Sequence, residues 1–350
     1  MTFDPNAPAA ESAGIYGLPH TEAEARLVYL PVPWEATTSY GGGTSKGPAA
    51  ILAASRQVDL HDLDVPRPYE PGLYLLPEDP RVHAWNDAAK SHAARVIDAA
   101  VHGGGDDAGL SAARAEVDRL GALLNRYVEE ETARLLAAGK IVGVIGGDHA
   151  VPLGGMRAVA RRLGSFGVLH FDAHSDTRLA YEGFAFSHAS IMRNVLDTIP
   201  EVTRMVQVGI RDVCEEEVAY VAGQGARVRV FHDRDVARAR MLGEPFDAIA
   251  RRIVEALPDR VWISFDIDGL DPRFCPHTGT PVPGGLDLAE AVHVMVRLVE
   301  AGKRVIGFDL SEVAPDLANP RDEWDANVGA RLLYKMSGLT LASQGLRVLA

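Results

Sequence analysis

The segment Val168-Leu-His-Phe-Asp-Ala-His-Ser-Asp176 decides how the rest of the chain is interpreted. Its first half is apolar and typical of a buried strand, and its second half places acids and a histidine directly after that strand. Side chains two residues apart on an extended backbone point the same way. Asp172, His174 and Asp176 are therefore expected to face one point at the carboxyl end of a strand.

Two further segments share this design. Ile141-Val-Gly-Val-Ile-Gly-Gly-Asp-His149 ends on a histidine, and Val261-Trp-Ile-Ser-Phe-Asp-Ile-Asp268 ends on two aspartates. In open parallel sheets, active sites gather outside the carboxyl ends of the strands, where residues distant in sequence converge. His149, Asp266 and Asp268 are therefore expected to join the first three side chains.

Apolar runs rich in β-branched residues alternate with helical patterns along the chain. Such alternation predicts a three-layer α/β/α fold with a central, mainly parallel sheet. The clearest helical patterns cover residues 112–139 and 286–301, where apolar residues recur at three- and four-residue spacing. The predicted buried strands cover residues 26–31, 141–145, 166–171, 205–210, 227–231, 261–265 and 304–308.

No break in composition divides the 350 residues, so a single domain is predicted. An insertion is expected around residues 80–111. Its glycine-rich stretch at 103–107 is typical of an exposed linker between two helical pieces, and no chemistry is expected from it.

Charge and cysteine content exclude several classes of protein. The formal net charge of -13 argues against a nucleic-acid partner, because binding phosphates requires an excess of Lys and Arg. Cys214 and Cys275 are far apart, which favours neither a disulfide framework nor a zinc-thiolate site. Neither an export signal nor an apolar run of roughly 18 to 20 residues is found. A cytoplasmic protein with no membrane partner is expected.

The predicted cluster of acids needs cations. Four carboxylates in one crevice repel one another, and two divalent cations would balance their charge. Carboxylate and imidazole ligands without thiolate suit manganese best, with nickel as the next candidate and cobalt, iron or zinc less suited. Two such ions about 3.5 Å apart can share a water and aim the resulting hydroxide at an electrophilic carbon. The pattern therefore predicts a binuclear metal-dependent hydrolase.

Each segment alone has an ordinary explanation. Residues 172–176 are compatible with an exposed polar turn, Asp266 and Asp268 with a turn or helix cap, and His149 with a core or capping histidine. The occurrence of all three patterns at predicted strand ends favours the metal site.

The three segments resemble the signature blocks of the ureohydrolase superfamily, which includes arginase, agmatinase, guanidinobutyrase and formiminoglutamase. The matching stretches are Gly-Gly-Asp-His at 146–149, Asp-Ala-His-Ser-Asp at 172–176 and Ser-Phe-Asp-Ile-Asp-Gly-Leu-Asp-Pro at 264–272. Residues 40–48, 280–285 and 308–315 are also similar, so the resemblance covers roughly 26–345 apart from the insertion. It implies an arginase-like fold, an agmatinase-like member, and hydrolysis of a guanidino C–N bond that releases urea or ammonia.

Carried over by position, the resemblance implies a ligand set and three catalytic residues. Asp176 would orient the attacking hydroxide, Glu312 would pair with the substrate guanidinium, and His188 would supply a proton to the leaving amine. For His188 the alternative is that it, or Ser187, only caps the helix that begins near residue 189. A trimer or hexamer is also implied. One metal would be bound by His149, Asp172, Asp176 and Asp266, and the other by Asp172, His174, Asp266 and Asp268.

The pocket walls are expected from two segments. The glycine-rich loop at 41–47 lacks the Gly-Lys-Ser/Thr ending of a nucleotide loop and is predicted to shape one wall. Residues 177–187 should form the rim, where Phe184 and Phe186 replace the small polar residues of arginases. This disfavours arginine and favours agmatine, guanidinobutyrate or guanidine.

Other functions remain open at this point. A formiminoglutamase-like amidine hydrolase would share the ligand set. A single-zinc, deacetylase-like amidohydrolase would lack His149, Asp176 and Asp268, and a non-catalytic scaffold subunit would be expected to have lost ligands.

Overall fold

The computed structural model describes residues 3–10, 12–38, 40–103, 108–319 and 321–350, and eight strands within these residues form one sheet. The strands are β1 (Leu27–Val32), β2 (Leu73–Leu75), β3 (Ile141–Gly146), β4 (Phe166–Phe171), β5 (Val202–Val208), β6 (Val228–Phe231), β7 (Arg260–Asp266) and β8 (Arg304–Ser311). Their order across the sheet is β2-β1-β3-β8-β7-β4-β5-β6, and neighbouring strands run parallel. The predicted parallel sheet is confirmed.

Helices cover both faces of the sheet. Along β1, Leu27 and Tyr29 belong to one apolar core, whereas Val28 and Leu30 belong to the other, as the two-residue period of a strand requires. The first core packs against α1, α8, α9 and α10 and the second against α2 to α5, which confirms the three-layer fold. The helices are α1 (Gly47–Ser55), α2 (Pro80–Val101), α3 (Ala108–Ala137), α4 (Leu153–Leu163), α5 (Ile191–Thr198), α6 (Glu215–Gly223), α7 (Asp233–Met241), α8 (Phe246–Glu255), α9 (Leu288–Glu300) and α10 (Trp324–Ser343).

The predicted elements match the observed ones closely. Each predicted strand is present, with ends shifted by a few residues, and the two clearest helical patterns are α3 and α9. The short edge strand β2 was not predicted, because three residues are too few to show a period. The stretch expected as an insertion holds α2 and the start of α3, and residues 104–107 of its expected linker lie outside the described residues.

Two smaller expectations can be compared directly. Cys214 and Cys275 are both free thiols. Within the described ranges, no helix combines the length and the apolarity that crossing a membrane requires.

Candidate metal centre

The first predicted set of ligands surrounds one histidine nitrogen. His149 Nδ1 lies 3.0 Å from Asp172 Oδ2, 3.1 Å from Asp176 Oδ2 and 3.4 Å from Asp266 Oδ2. The histidine follows β3, two of the acids follow β4, and Asp266 ends β7. All four side chains are buried, so strand ends from separate parts of the chain bring them together.

The second predicted set adjoins the first. His174 Nδ1 lies 3.4 Å from Asp172 Oδ1 and 3.1 Å from Asp268 Oδ2. Asp172 therefore directs one carboxylate oxygen to each histidine. Asp266 Oδ1 accepts a hydrogen bond from the backbone N–H of Asp268 at 2.8 Å, which joins the two β7 acids. The six predicted side chains thus form two groups that share Asp172.

Two of the predicted site acids have left-handed backbone conformations. The φ angle of Asp176 is 55° and that of Glu312 is 64°. Such angles are uncommon for residues other than glycine and cost about 1–3 kcal/mol each, and they cluster at functional sites. The surrounding structure therefore holds these two side chains in directions that a relaxed backbone would not give them.

Burial and mutual repulsion raise the pKa of two of the clustered acids. Burial and the facing Asp172 raise the pKa of Asp176 to about 7. Burial, Asp268 and Asp172 raise the pKa of Asp266 well above its ordinary value. Asp172 differs, because the imidazoles around it outweigh its burial and hold its pKa well below the ordinary range. A cation between the groups would favour the charged form of every acid.

The donor set fits a pair of divalent cations. Asp268 Oδ2 is buried and has no hydrogen-bond partner among the described residues, although it faces the cluster. An orphaned buried carboxylate oxygen is costly unless a cation or a donor meets it. Oxygen and imidazole nitrogen ligands without thiolate are the set that manganese and similar ions prefer.

A row of buried polar side chains lies beneath the cluster. Gln207, His170, Ser264 and Asp309 pair in register across β5, β4, β7 and β8. None of them was among the predicted site residues. His170 had a visible signal, since it stands two residues before Asp172 and so faces the same side of its strand.

The row fixes the proton on His149. Asp309 accepts hydrogen bonds from Trp262 Nε1 at 2.5 Å and from Ser264 Oγ at 2.9 Å. Since the Ser264 proton is directed at Asp309, Ser264 Oγ accepts the proton of His149 Nε2, 2.9 Å away. The lone pair of His149 Nδ1 then faces the acids, as a metal ligand requires.

Hydrogen bonds to Gln207 and Asp172 likewise fix the proton on His170. Gln207 Nε2 lies 2.8 Å from the Ser175 carbonyl oxygen, which can only accept, so this atom is the amide nitrogen. It also lies 3.1 Å from His170 Nδ1, which therefore accepts. His170 Nε2 carries the proton and donates to Asp172 Oδ2 at 2.8 Å. His170 thus orients the shared acid and leaves no lone pair for a metal.

The two remaining predicted residues lie beside the cluster. Glu312 is buried after β8, and its Oε1 accepts the backbone N–H of His149 at 2.9 Å. His188 lies in a short 3-10 turn, with Nδ1 3.2 Å from Thr37 Oγ1. Burial and the nearby His174 lower the pKa of His188 to about 4, so it is neutral at pH 7. Ser187 stands at the N-cap of this turn but makes no capping side-chain hydrogen bond.

A pocket of about 450 Å³ opens over the cluster, and Tyr40, which directly precedes the glycine-rich loop at 41–47, lines its wall. The prediction for Phe184 and Phe186 is wrong. Phe184 is fully buried between α2 and α3, and Phe186 packs against Gly121 of α3. The lining residues are Tyr40, His174, Asp176, Arg178, Tyr181, His188, Ala189, Asp212, Glu217, Thr280, Pro281 and Val282.

In this three-layer α/β/α fold, acids and imidazoles meet beyond the carboxyl ends of the parallel strands. This arrangement is typical of a metal-dependent hydrolase. The profile of the arginase family matches residues 25–338, and the chain belongs to that family. It is 33% identical over 318 residues to N(1)-aminopropylagmatine ureohydrolase of Thermus thermophilus, covering 90% of each chain. It is 30% identical over 327 residues to guanidinobutyrase of Pseudomonas aeruginosa, covering 91% of this chain and 89% of that one.

The fold is also similar to that of a solved structure. Proclavaminate amidino hydrolase from Streptomyces clavuligerus superposes with a TM-score of 0.71 at 25% identity, covering 97% of this chain and 100% of that chain. The predicted family, fold and enzyme class, a hydrolase of linear amidines, are confirmed by these matches.

The hydrogen bond from His149 to Ser264 can be tested through metal affinity. In Ser264→Ala, His149 Nε2 loses its acceptor, and the imidazole is no longer held with Nδ1 towards the acids. Loss of such a partner typically lowers metal affinity by about 10- to 100-fold. Titration of chelator-stripped protein with Mn²⁺ measures it. The control is Ser337→Ala, a buried serine bonded to Tyr29 far from the cluster. Equal affinities in the two variants would contradict this role.

Proposed function

We propose that this protein hydrolyses a guanidino C–N bond with the help of two divalent cations. Manganese is the preferred metal, and nickel is the alternative. Support comes above all from Asp172, whose two oxygens face two different imidazoles 3.0 and 3.4 Å away. This is the arrangement expected of a carboxylate that bridges two ions. When bound, the cations supply Lewis-acid activation of a water molecule. The ligands would be His149, Asp172, Asp176 and Asp266 for one ion, and Asp172, His174, Asp266 and Asp268 for the other.

Glu312 is assigned to the guanidinium. A carboxylate can accept two parallel hydrogen bonds from this planar cation, and burial strengthens the pair. The hydrogen bond from the His149 N–H to Oε1 holds the Glu312 carboxylate beside the metal ligands. The substrate carbon would therefore be held next to the activated water.

Asp176 and His188 are assigned to water orientation and proton transfer, because both line the pocket. Asp176 would orient the attacking water. When water adds to the guanidino carbon it releases a proton, and when the C–N bond breaks the leaving nitrogen needs one. A neutral imidazole can take the first proton and deliver the second. The products are then urea and an amine, or urea and ammonia if guanidine is the substrate.

The substrate is proposed to be a small guanidino compound such as agmatine, guanidinobutyrate or guanidine. Because Phe184 and Phe186 do not line the pocket, the preference over arginine now rests on the relatives, which are named for aminopropylagmatine and guanidinobutyrate. The pocket has room for a tail beyond the guanidinium, and its lining includes both a cation, Arg178, and an acid, Asp212.

The sequence makes three further predictions that accompany this function. The protein is expected to be a cytoplasmic homo-oligomer, a trimer or hexamer. It is expected to be one domain with an insertion around residues 80–111. No nucleic acid and no membrane is expected as its partner.

A screen for substrate turnover tests the proposed function, with urea and ammonia measured for the guanidino compounds, formamide and ammonia for formiminoglutamate, and acetate for the acetylated amine. Protein loaded with Mn²⁺, and separately with Ni²⁺, is incubated with agmatine, guanidinobutyrate, guanidine, arginine, formiminoglutamate and an acetylated amine. We expect urea from at least one of the first three compounds and none from arginine. Turnover of the acetylated amine alone would favour the deacetylase-like alternative, and no turnover of any compound would favour a scaffold.

Loss of the shared acid should be more damaging than loss of an unrelated buried acid. Asp172→Asn removes the charge expected to bridge the ions, so we expect the loss of both metal ions and of urea release. Asp62→Asn is the matched control, because Asp62 is buried and pairs with Lys335 at 2.6 Å, away from the cluster. Metal content and urea release are measured on both variants. Normal turnover in Asp172→Asn would exclude the assignment.

A further inference from the structure

A tight turn connects the pocket to helices α2 and α3. The backbone N–H groups of Tyr181 and Phe184 each donate to the other residue's carbonyl oxygen, at 3.2 and 2.9 Å. Between them Glu182 and Gly183 have φ angles of 52° and 89°, the left-handed pair of a two-residue hairpin turn. Tyr181, at one end, lines the pocket, and its ring centroid is 5.6 Å from that of His188. Movement of one end of this turn must therefore move the other.

Phe184, at the other end of the turn, is anchored in the helices. It is fully buried in a small apolar cluster, separate from the two main cores, with Ala93 and Val96 of α2 and Ala113 and Val117 of α3. The backbone N–H of the next residue, Ala185, donates to Asp118 Oδ1 of α3 at 2.9 Å. One wall of the pocket is thus held by the α2–α3 pair.

A second part of the pocket lining, at Tyr40, is connected to α2. Glu35 is buried, and its Oε2 accepts the backbone N–H groups of Gly43 and Ser45 at 2.8 and 2.7 Å, which shapes the glycine-rich loop. Its Oε1 contacts Lys90 Nζ of α2, and its backbone N–H donates to Asn86 Oδ1 of α2 at 2.8 Å. The loop that presents Tyr40 to the pocket is therefore fastened to α2.

His188 lies between these two anchored segments. Thr37, two residues after Glu35, places its hydroxyl 3.2 Å from His188 Nδ1, while Tyr181 meets the imidazole edge to face. We propose that the α2–α3 pair positions His188, with Phe184 and the Lys90–Glu35 ion pair as the positioning residues. This proposal rests on the proposed function only for the role of His188 in proton transfer. It gives the stretch around residues 80–111 a part in catalysis without any contact with the reacting atoms.

The proposal predicts a loss of turnover without a loss of metal. Proton transfer requires donor and acceptor within about 3 Å, and a displacement of about 1 Å can cost on the order of 100-fold. Phe184→Ala and Lys90→Met should each lower kcat by about 10- to 100-fold, with a smaller change in KM and with unchanged metal content. Phe184→Leu should restore most of kcat, because it keeps an apolar anchor in the same slot.

The experiment uses the full-length, metal-loaded protein and two readouts. Steady-state kinetics gives kcat and KM, and amide hydrogen exchange reports local opening without any need for activity. Exchange should rise in residues 177–188 for Phe184→Ala and in residues 40–46 for Lys90→Met. The matched control is Phe166→Ala, which removes an equally buried phenylalanine from the amino end of β4. The control should lower the unfolding midpoint but change neither kcat nor exchange in these two segments.

Two results would overturn the proposal. One is wild-type exchange in both segments of Phe184→Ala and Lys90→Met. The other is an equal loss of kcat in Phe166→Ala, which would show an effect of global stability. If Phe184→Ala does not fold, Lys90→Met decides the question through kcat and through exchange in residues 40–46. If the wild type releases no urea from any compound, the proposed function fails while the exchange data still test the anchoring.

Discussion

Repulsion among buried carboxylates is the constraint on which the rest of this structure depends. Asp172, Asp176, Asp266 and Asp268 come from two neighbouring strands and meet in a crevice almost closed to water. Two like charges 4 Å apart repel by about 4 kcal/mol at an effective dielectric constant near 20. The two imidazoles face part of this charge, but Asp268 Oδ2, 3.1 Å from His174 Nδ1, accepts no hydrogen bond from any of the residues that the structure describes. A pair of divalent cations would offset this repulsion, and in the proposed function the same ions would activate the attacking water.

The sheet and the loops have different tasks in this arrangement. The proposed ligands stand on or next to strand ends, and the polar row beneath them sets their protons and directions through register-paired neighbours. Tyr40, Tyr181 and His188, in contrast, stand on loops that face the substrate. Loops alone would hold such groups loosely. In the inference drawn above, contacts with α2 and α3 hold these loop residues in position.

Much of this could be predicted from local patterns. The period-two spacing of 172, 174 and 176 and of 266 and 268, together with the position of active sites at strand ends, was enough to predict that the six side chains meet. The polar row could not be predicted in the same way, because Ser264 faces Asp309 only through the register of β7 and β8. Register is a property of the assembled sheet, and the sequence of either strand alone does not contain it.

The error over Phe184 has an equally specific cause. The expectation assigned the whole segment 177–187 to the pocket rim, whereas Glu182 and Gly183 turn the chain back in a left-handed conformation. The turn leaves Tyr181 in the pocket and sends Phe184 into the helices. The left-handed angles of Asp176 and Glu312 could not be predicted either, because only a few per cent of residues other than glycine adopt them and residue type alone does not identify which.

The number of metal ions bound per chain tests the central claim most directly. Chelator-stripped protein is dialysed to equilibrium against Mn²⁺ and, in parallel, against Ni²⁺, and bound metal is determined by mass spectrometry. Neutralisation of four converging aspartates predicts saturation at two ions per chain. Saturation at one ion, or no binding while the protein remains folded, would contradict the claim.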